Sequence, residues 1–313
     1  MAALPVILDM DPGVDDALAL MLALNSPELD VLGVCTVNGN VPVDTGTRNT
    51  LALLSMLGRT DVQVYRGAEC PLRKVPVHAK EIHGPDGLGD TALPPADFDV
   101  SGSATGFLTK VLEDRPNEVT IVAVGPLTNL ATVEAQSPGL LRKSKAMVVM
   151  GGAVEEPGNV SPTAEFNFFA DPDAARAVVS SGASLTLVPL DATHRVQITE
   201  TELTMWSCGR RSSKANFVMA STAPAMAYSK RVYGAARFCL HDPMAVGFVV
   251  DPSLFRVSRA FVDVQVENGI TSGQMVADRR PFVDDAHRKG VQVSWVSDVE
   301  VEAFKSMFKD RVF

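Results

Sequence analysis

No run of about 18 uncharged apolar residues occurs anywhere in the chain, so the sequence contains no candidate for a membrane-spanning helix. Basic residues are also short: 28 Lys and Arg face 37 Asp and Glu, a formal net charge of -9 that argues against a general grip on a phosphate backbone. No local basic cradle for a free nucleotide can be found either, which leans toward dephosphorylated ligands and a small-molecule partner rather than a nucleic acid. The four cysteines, Cys35, Cys70, Cys208 and Cys239, have no CxxC spacing, and three lie within or beside apolar segments, as reduced, packed thiols do. Aromatic residues make up only 6% of the 313 residues, yet 46% are hydrophobic and 21% charged, the balance of a globular enzyme with a large buried core. Acidic residues begin at position 9, too early for a basic region followed by a secretory apolar stretch, and the expected compartment is the cytoplasm.

No Pro/Ser/Gly-rich linker separates two composition zones, so residues 1–313 are expected to form one domain. The opening alternates between two periods: an apolar strand at 6–8, a helix at 15–24, a strand at 31–37, a helix at 45–57 ended by Gly58, and a strand at 62–65. Helices at 103–113, 127–135 and 171–180 then alternate with strands at 119–124, 146–150 and 185–190. Further strand-like stretches stand at 257–266 and 291–296, after a more helical region that begins past Thr199. Strands separated by helices predict an α/β fold, a Rossmann-like, mostly parallel sheet flanked by helices, with the loops after the strands gathered on one edge where ligands bind. Between 66 and 95 the pattern fades into Pro, Gly, His and Asp, and a loop of that length in a compact domain is usually functional.

Chemistry concentrates in the first strand-end loop, DMDPGVDD, where Asp9, Asp11, Asp15 and Asp16 fall within eight residues. Asp15 and Asp16 could simply complement the positive end of the helix that they begin. Asp9 and Asp11 cannot be explained so, because they sit where the strand is still buried and a buried carboxylate needs a cation or several donors. Oxygen donors without Cys or His suit a hard divalent ion, Ca²⁺ or Mg²⁺, rather than zinc.

The segment DMDPGVDDALAL resembles the D-x-D-P-G-x-D-D-A signature of the inosine-uridine-preferring nucleoside hydrolase family. VNGN (37–40), VGPLTNLA (124–131), MGG (150–152), EPGNVSPTAEFNFFADPDAA (156–175) and HDPMAV (241–246) follow in that family's order and cover most of the chain. The resemblance implies a single-domain, calcium-dependent enzyme that hydrolyses ribonucleosides to base and ribose through an oxocarbenium-like transition state, usually as a homodimer or homotetramer. Carried over by position, Asp11, Asp16 and Asp242 resemble the side-chain ligands of Ca²⁺, the Val124 carbonyl completes the set, and Asp15 resembles the general base. Asn40, Asn159, Glu165 and Asn167 match positions that hold the ribose, with Met150 as an apolar contact beside the sugar. His241 is the candidate proton donor or leaving-group contact, and His83 in HGPDGLGD is a candidate to close over the substrate. Tyr228 and Tyr233 are the candidates for contact with the base, on the segment where the family is variable.

Two other readings fit less well. A haloacid-dehalogenase-type phosphatase also places D-x-D after its first strand, but it needs Thr or Val after the second Asp, where Pro12 stands. A sugar or nucleoside receptor without catalysis would be expected to carry an export signal and to have lost Asp15 or a metal ligand.

Overall fold

The computed structural model describes residues 2–91, 93–209 and 212–313. Its first strand, β1 (Leu4–Met10), is buried at Val6, Ile7 and Leu8 alike, as expected of a strand covered on both faces. Successive side chains point to opposite faces: Val6, Leu8 and Met10 join one apolar cluster, Ile7 the other. β1 pairs in parallel with β2 (Leu29–Thr36), which leads outward to β3 (Val64–Arg66) and β4 (Gly102–Ser103). The chain then returns to the other side of β1 with β5 (Thr120–Ala123), followed by β6 (Ala146–Met150) and β7 (Leu185–Val188), all parallel. β8 (Gln197–Thr199) and β9 (Arg237–Cys239) form a separate antiparallel pair. The main sheet is completed by β10 (Phe255–Val264), β11 (Met275–Asp278) and β12 (Val291–Val299). β12 is parallel to β7, while β10 runs antiparallel to both β12 and β11.

The resulting order is β11-β10-β12-β7-β6-β5-β1-β2-β3-β4. The winding reverses between β1 and β5, so the loops after these two strands diverge and leave a crevice at that edge. Asp11 follows β1 there, and Val124 follows β5. The sequence predicts this mostly parallel sheet; the antiparallel margin, the short β11 and the β8–β9 pair are additions.

Helix Val14–Leu24 is buried from Val14 to Ala23, and it packs against helix His241–Val250 on one face of the sheet. A helix that is apolar all round belongs in a core. Helices Ala104–Asp114, Thr128–Gln136 and Pro172–Val179 cover the opposite face. Among the described residues, no helix is long and apolar enough to cross a membrane.

Candidate active site

Helices Val14–Leu24 and His241–Val250 both begin at the β1–β5 crevice, with Asp15 and Asp16 in the first turn of one and Asp242 in the first turn of the other. Helix N-termini carry partial positive charge, which favours carboxylates at this place. Asp15, Asp16 and Asp242 are buried, and each brings an oxygen to within 4.8 Å of the others. Asp11, also buried, approaches from β1: its backbone N–H donates to Asp16 Oδ1 at 3.0 Å, and its Oδ2 accepts from the Asn40 N–H at 2.6 Å. The loop holding Asn40 lies so close that a Cβ on Gly39 would collide with the Asp11 carboxylate, a contact only glycine avoids. Asp16 Oδ2 accepts from Gly13 N–H at 2.9 Å and from Asn40 Nδ2 at 3.1 Å.

These bonds leave two buried oxygens with no donor, Asp11 Oδ1 and Asp15 Oδ1. Among the described residues, no Lys or Arg pairs with any of the four carboxylates. Their protonation equilibria report the strain. Burial, then the charge of Asp16, lifts Asp11 well above the usual carboxylate range; burial, then Asp15, Asp16 and Asp11, does the same to Asp242. Asp15 and Asp16 are raised to about 6, again chiefly by burial. Bare oxygens, crowded buried carboxylates and an all-oxygen donor set fit a hard divalent cation. The Val124 carbonyl accepts from Asn167 Nδ2 at 2.7 Å, which leaves its second lone pair free.

Asp9 does not join this group. It faces the opposite side of the sheet, where Asn129 Nδ2 donates to Asp9 Oδ1 at 2.7 Å and to Thr36 O at 3.0 Å. Among the described residues a single donor, Asn129, serves this carboxyl where a cation or several donors were expected, and burial raises it to about 7.

The positions matched to ribose contacts are mostly brought together, but several are already engaged. Asn40 is committed to Asp11 and Asp16 through its backbone and side-chain N–H groups. Asn167 Nδ2 also donates to Met150 O at 3.1 Å, so it fastens the ends of β5 and β6 to each other. Glu165 is 2% exposed, so it is not a solvated loop residue. It caps helix Phe166–Ala170, accepting from Asn167 N–H at 2.8 Å and Phe168 N–H at 3.3 Å, and it also accepts from Gly152 N–H at 3.0 Å. Burial nevertheless raises it to about 7. Asn159 is exposed, and its Oδ1 accepts from Phe166 N–H at 2.9 Å, which puts it on the rim.

His83 lies 5% exposed at the end of the four-residue helix Lys80–His83, not on the surface of the long loop. Its Nδ1 accepts from Val14 N–H at 3.1 Å, so this nitrogen carries no proton and the 3.8 Å approach to Asp15 Oδ1 is not an ion pair. Burial pushes His83 down to about 4. His241 is half-buried, with Nδ1 2.7 Å from Thr193 Oγ1; burial, then the charges of His194 and His83, holds it at about 3. Tyr228 is half-buried with Arg231 5.3 Å above its ring, and Tyr233 is 72% exposed.

Sequence reading passed over His78, whose Nδ1 lies 2.9 Å from Gly39 O and pins the loop beside Asp11. It also passed over Asp191 and Thr193, which follow β7 on the same edge as the other strand-end loops; that shared edge was the signal available.

The inosine-uridine preferring nucleoside hydrolase family model matches residues 6–306. Uridine nucleosidase 1 of Arabidopsis thaliana is 38% identical over 307 residues, 94% of this chain and 89% of that protein. Among solved structures, a plant nucleoside hydrolase matches with a TM-score of 0.93 at 35% identity, covering 98% of both chains. A purine-preferring ribonucleoside hydrolase from Gardnerella vaginalis matches at 0.90 and 32%, again over 98% of both. With the β1–β5 crevice, its carboxylates and a match spanning nearly the whole sequence, the chain belongs to the inosine-uridine preferring nucleoside hydrolase family.

Proposed function

We propose that this chain cleaves the N-glycosidic bond of purine and/or pyrimidine ribonucleosides, giving free base and ribose, with calcium as its cofactor. Membership of the family makes it a hydrolase acting on N-glycosyl compounds. The relatives described above include one named for uridine and one named for purines, which supports keeping both base classes. The observation that carries the reading is the buried trio of Asp15, Asp16 and Asp242 beside the two bare oxygens of Asp11 and Asp15.

Asp11, Asp16, Asp242 and the Val124 carbonyl would hold the ion. When bound, calcium lowers the pKa of water and fixes sugar hydroxyls. Asp15 takes the proton of the attacking water as oxygen bonds to the anomeric carbon and the C–N electron pair leaves with the base. Asn40, Asn159, Glu165 and Asn167 would hold the ribose, with Asn40, Glu165 and Asn167 also bracing the surrounding loops and Asn159 at the rim, while Met150 and His83 wall the sugar subsite. Glu165 places a carboxyl where positive charge develops on the ribose. His241 meets the departing base. The position of Asp15 inside the trio favours a second division of labour, in which Asp15 touches the ion or a sugar hydroxyl and Asp11, with Oδ1 bare, takes the proton.

The test is release of ribose from inosine, adenosine, guanosine, uridine and cytidine, each with and without chelator. Turnover of at least one nucleoside that stops on chelation and returns with calcium is expected. No ribose from any of them would defeat the activity, and full activity after exhaustive chelation would defeat the cofactor.

A further inference from the structure

Which ring nitrogen of His241 holds the proton decides what it can offer a departing base. Nδ1 lies 2.7 Å from Thr193 Oγ1. Thr193 closes the short helix Leu190–Thr193 after β7, and none of its surface reaches solvent. A buried hydroxyl hydrogen needs an acceptor. Thr193 is also bonded to Pro189 O, but through its backbone N–H at 3.1 Å; among the described residues, the hydroxyl has His241 Nδ1 as its one hydrogen-bond partner. The hydroxyl therefore donates and Nδ1 accepts, an assignment that follows from accounting for hydrogen-bond partners.

We infer that Thr193 is a positioning residue that fixes the tautomer of His241, placing the proton on Nε2, at the ring's other edge. His194 packs against the same imidazole edge-on, with 5.7 Å between ring centroids and 64° between planes, and restrains its rotation. The inference rests on the proposed reaction, in which His241 meets the leaving group. An Nε2–H hydrogen bond spreads the negative charge that gathers on the base as the C–N bond breaks. The other tautomer would aim a lone pair at that charge and oppose departure.

The experiment compares the calcium-loaded wild-type enzyme with Thr193→Val, which keeps the shape and loses the hydroxyl, and with Thr193→Ser, which keeps the hydroxyl. Long-range proton–nitrogen NMR on histidine-labelled protein reads the tautomer of His241 directly. The Nε2–H form is expected in wild type and Thr193→Ser, and a mixture of forms in Thr193→Val. Kinetics should split by leaving group. On the best of the five ribonucleosides, Thr193→Val should lose about tenfold to a hundredfold in kcat, with Thr193→Ser recovering most of it. On a nitrophenyl riboside, whose phenolate departs unaided, the change should stay below about threefold. An Nδ1–H signal in the wild-type chain overturns the assignment, whether or not the chain cleaves nucleosides. Equal losses on both substrates, with calcium still bound, overturn the claim that Thr193 acts through His241. Failure of the proposed reaction would show separately, as wild-type inactivity on every nucleoside.

Discussion

Asp11 and Asp15 each keep one buried oxygen without a donor, and in the proposed reaction an ion and a proton would divide between them. With Asp15 as base, Asp15→Asn should lower kcat by about 10³ or more, while calorimetry finds calcium affinity near that of wild type. Asp16→Asn should instead weaken calcium binding, because it removes the charge of a proposed ligand and an amide cannot accept on both atoms the N–H groups of Asp11, Gly13 and Asn40 that now orient the carboxylate. An Asp15→Asn chain that loses calcium as Asp16→Asn does would move Asp15 into the ligand set and leave the proton to Asp11. The second outcome would then require Asp11→Asn to lose turnover while retaining the ion. The four carboxylates of the first loop were legible because they are close in sequence, and their crowding is a local electrostatic fact. Asp9 was misleading for the same reason: strand alternation turns it to the opposite face, and its partner Asn129 lies far along the chain.

As far as β7 the longer helices and buried strands were read to within about two residues because their periodic apolar faces are written locally, as in Val14–Leu24 and Ala146–Met150, whereas the long helix Ser213–Tyr233 was legible only as a more helical region and helix Val301–Val312 not at all. The three-residue β8 and β9 were not, since so few residues give no period and their pairing is tertiary. Asp242 came into view only through the family resemblance, and the loop supports not at all. Asp191 shows why: its carboxylate accepts from the N–H groups of Val154 at 2.8 Å, Glu155 at 2.7 Å and Glu156 at 3.3 Å, a clasp that no spacing in the sequence announces. It ties the start of the segment leading to Asn159 and Glu165 to the end of β7. Charged hydrogen bonds of this kind contribute roughly 1.5–3 kcal/mol each where buried. Asp191→Ala should therefore free residues 154–156, speed their amide exchange, and raise KM for the nucleoside by about tenfold with a smaller change in kcat. Exchange at these three amides no faster than in wild type would show that other contacts hold the loop.

The whole molecule is a balance between buried acids and the ion that would discharge them. In the metal-free chain, burial raises Asp9 and Glu165 to about 7 and Asp15 and Asp16 to about 6, with Asp11 and Asp242 higher than the usual range. An acid whose pKa is raised by folding holds more protons in the native state than in the unfolded one. Its contribution is complete below the unfolded pKa and is lost as pH rises through the folded value. His83 and His241 act in the opposite sense: lowered to about 4 and about 3 from an ordinary 6.5, they favour folding increasingly as pH climbs toward 6.5. Above about pH 6.5 the histidine contribution is complete, and the carboxyls alone still titrate. Tm in chelator should therefore fall between about pH 6.5 and pH 8. Calcium bound to the folded chain offers the carboxylates an opposite charge, so the Tm gain that it gives should grow across the same interval. Thermal unfolding at constant ionic strength, with calcium or chelator, measures both slopes. Asp9→Asn separates the two causes, because Asp9 answers to Asn129 rather than to the trio. That variant should flatten part of the metal-free slope and leave the calcium gain intact, whereas a Tm indifferent to calcium at every pH would mean that no ion resides among these carboxylates.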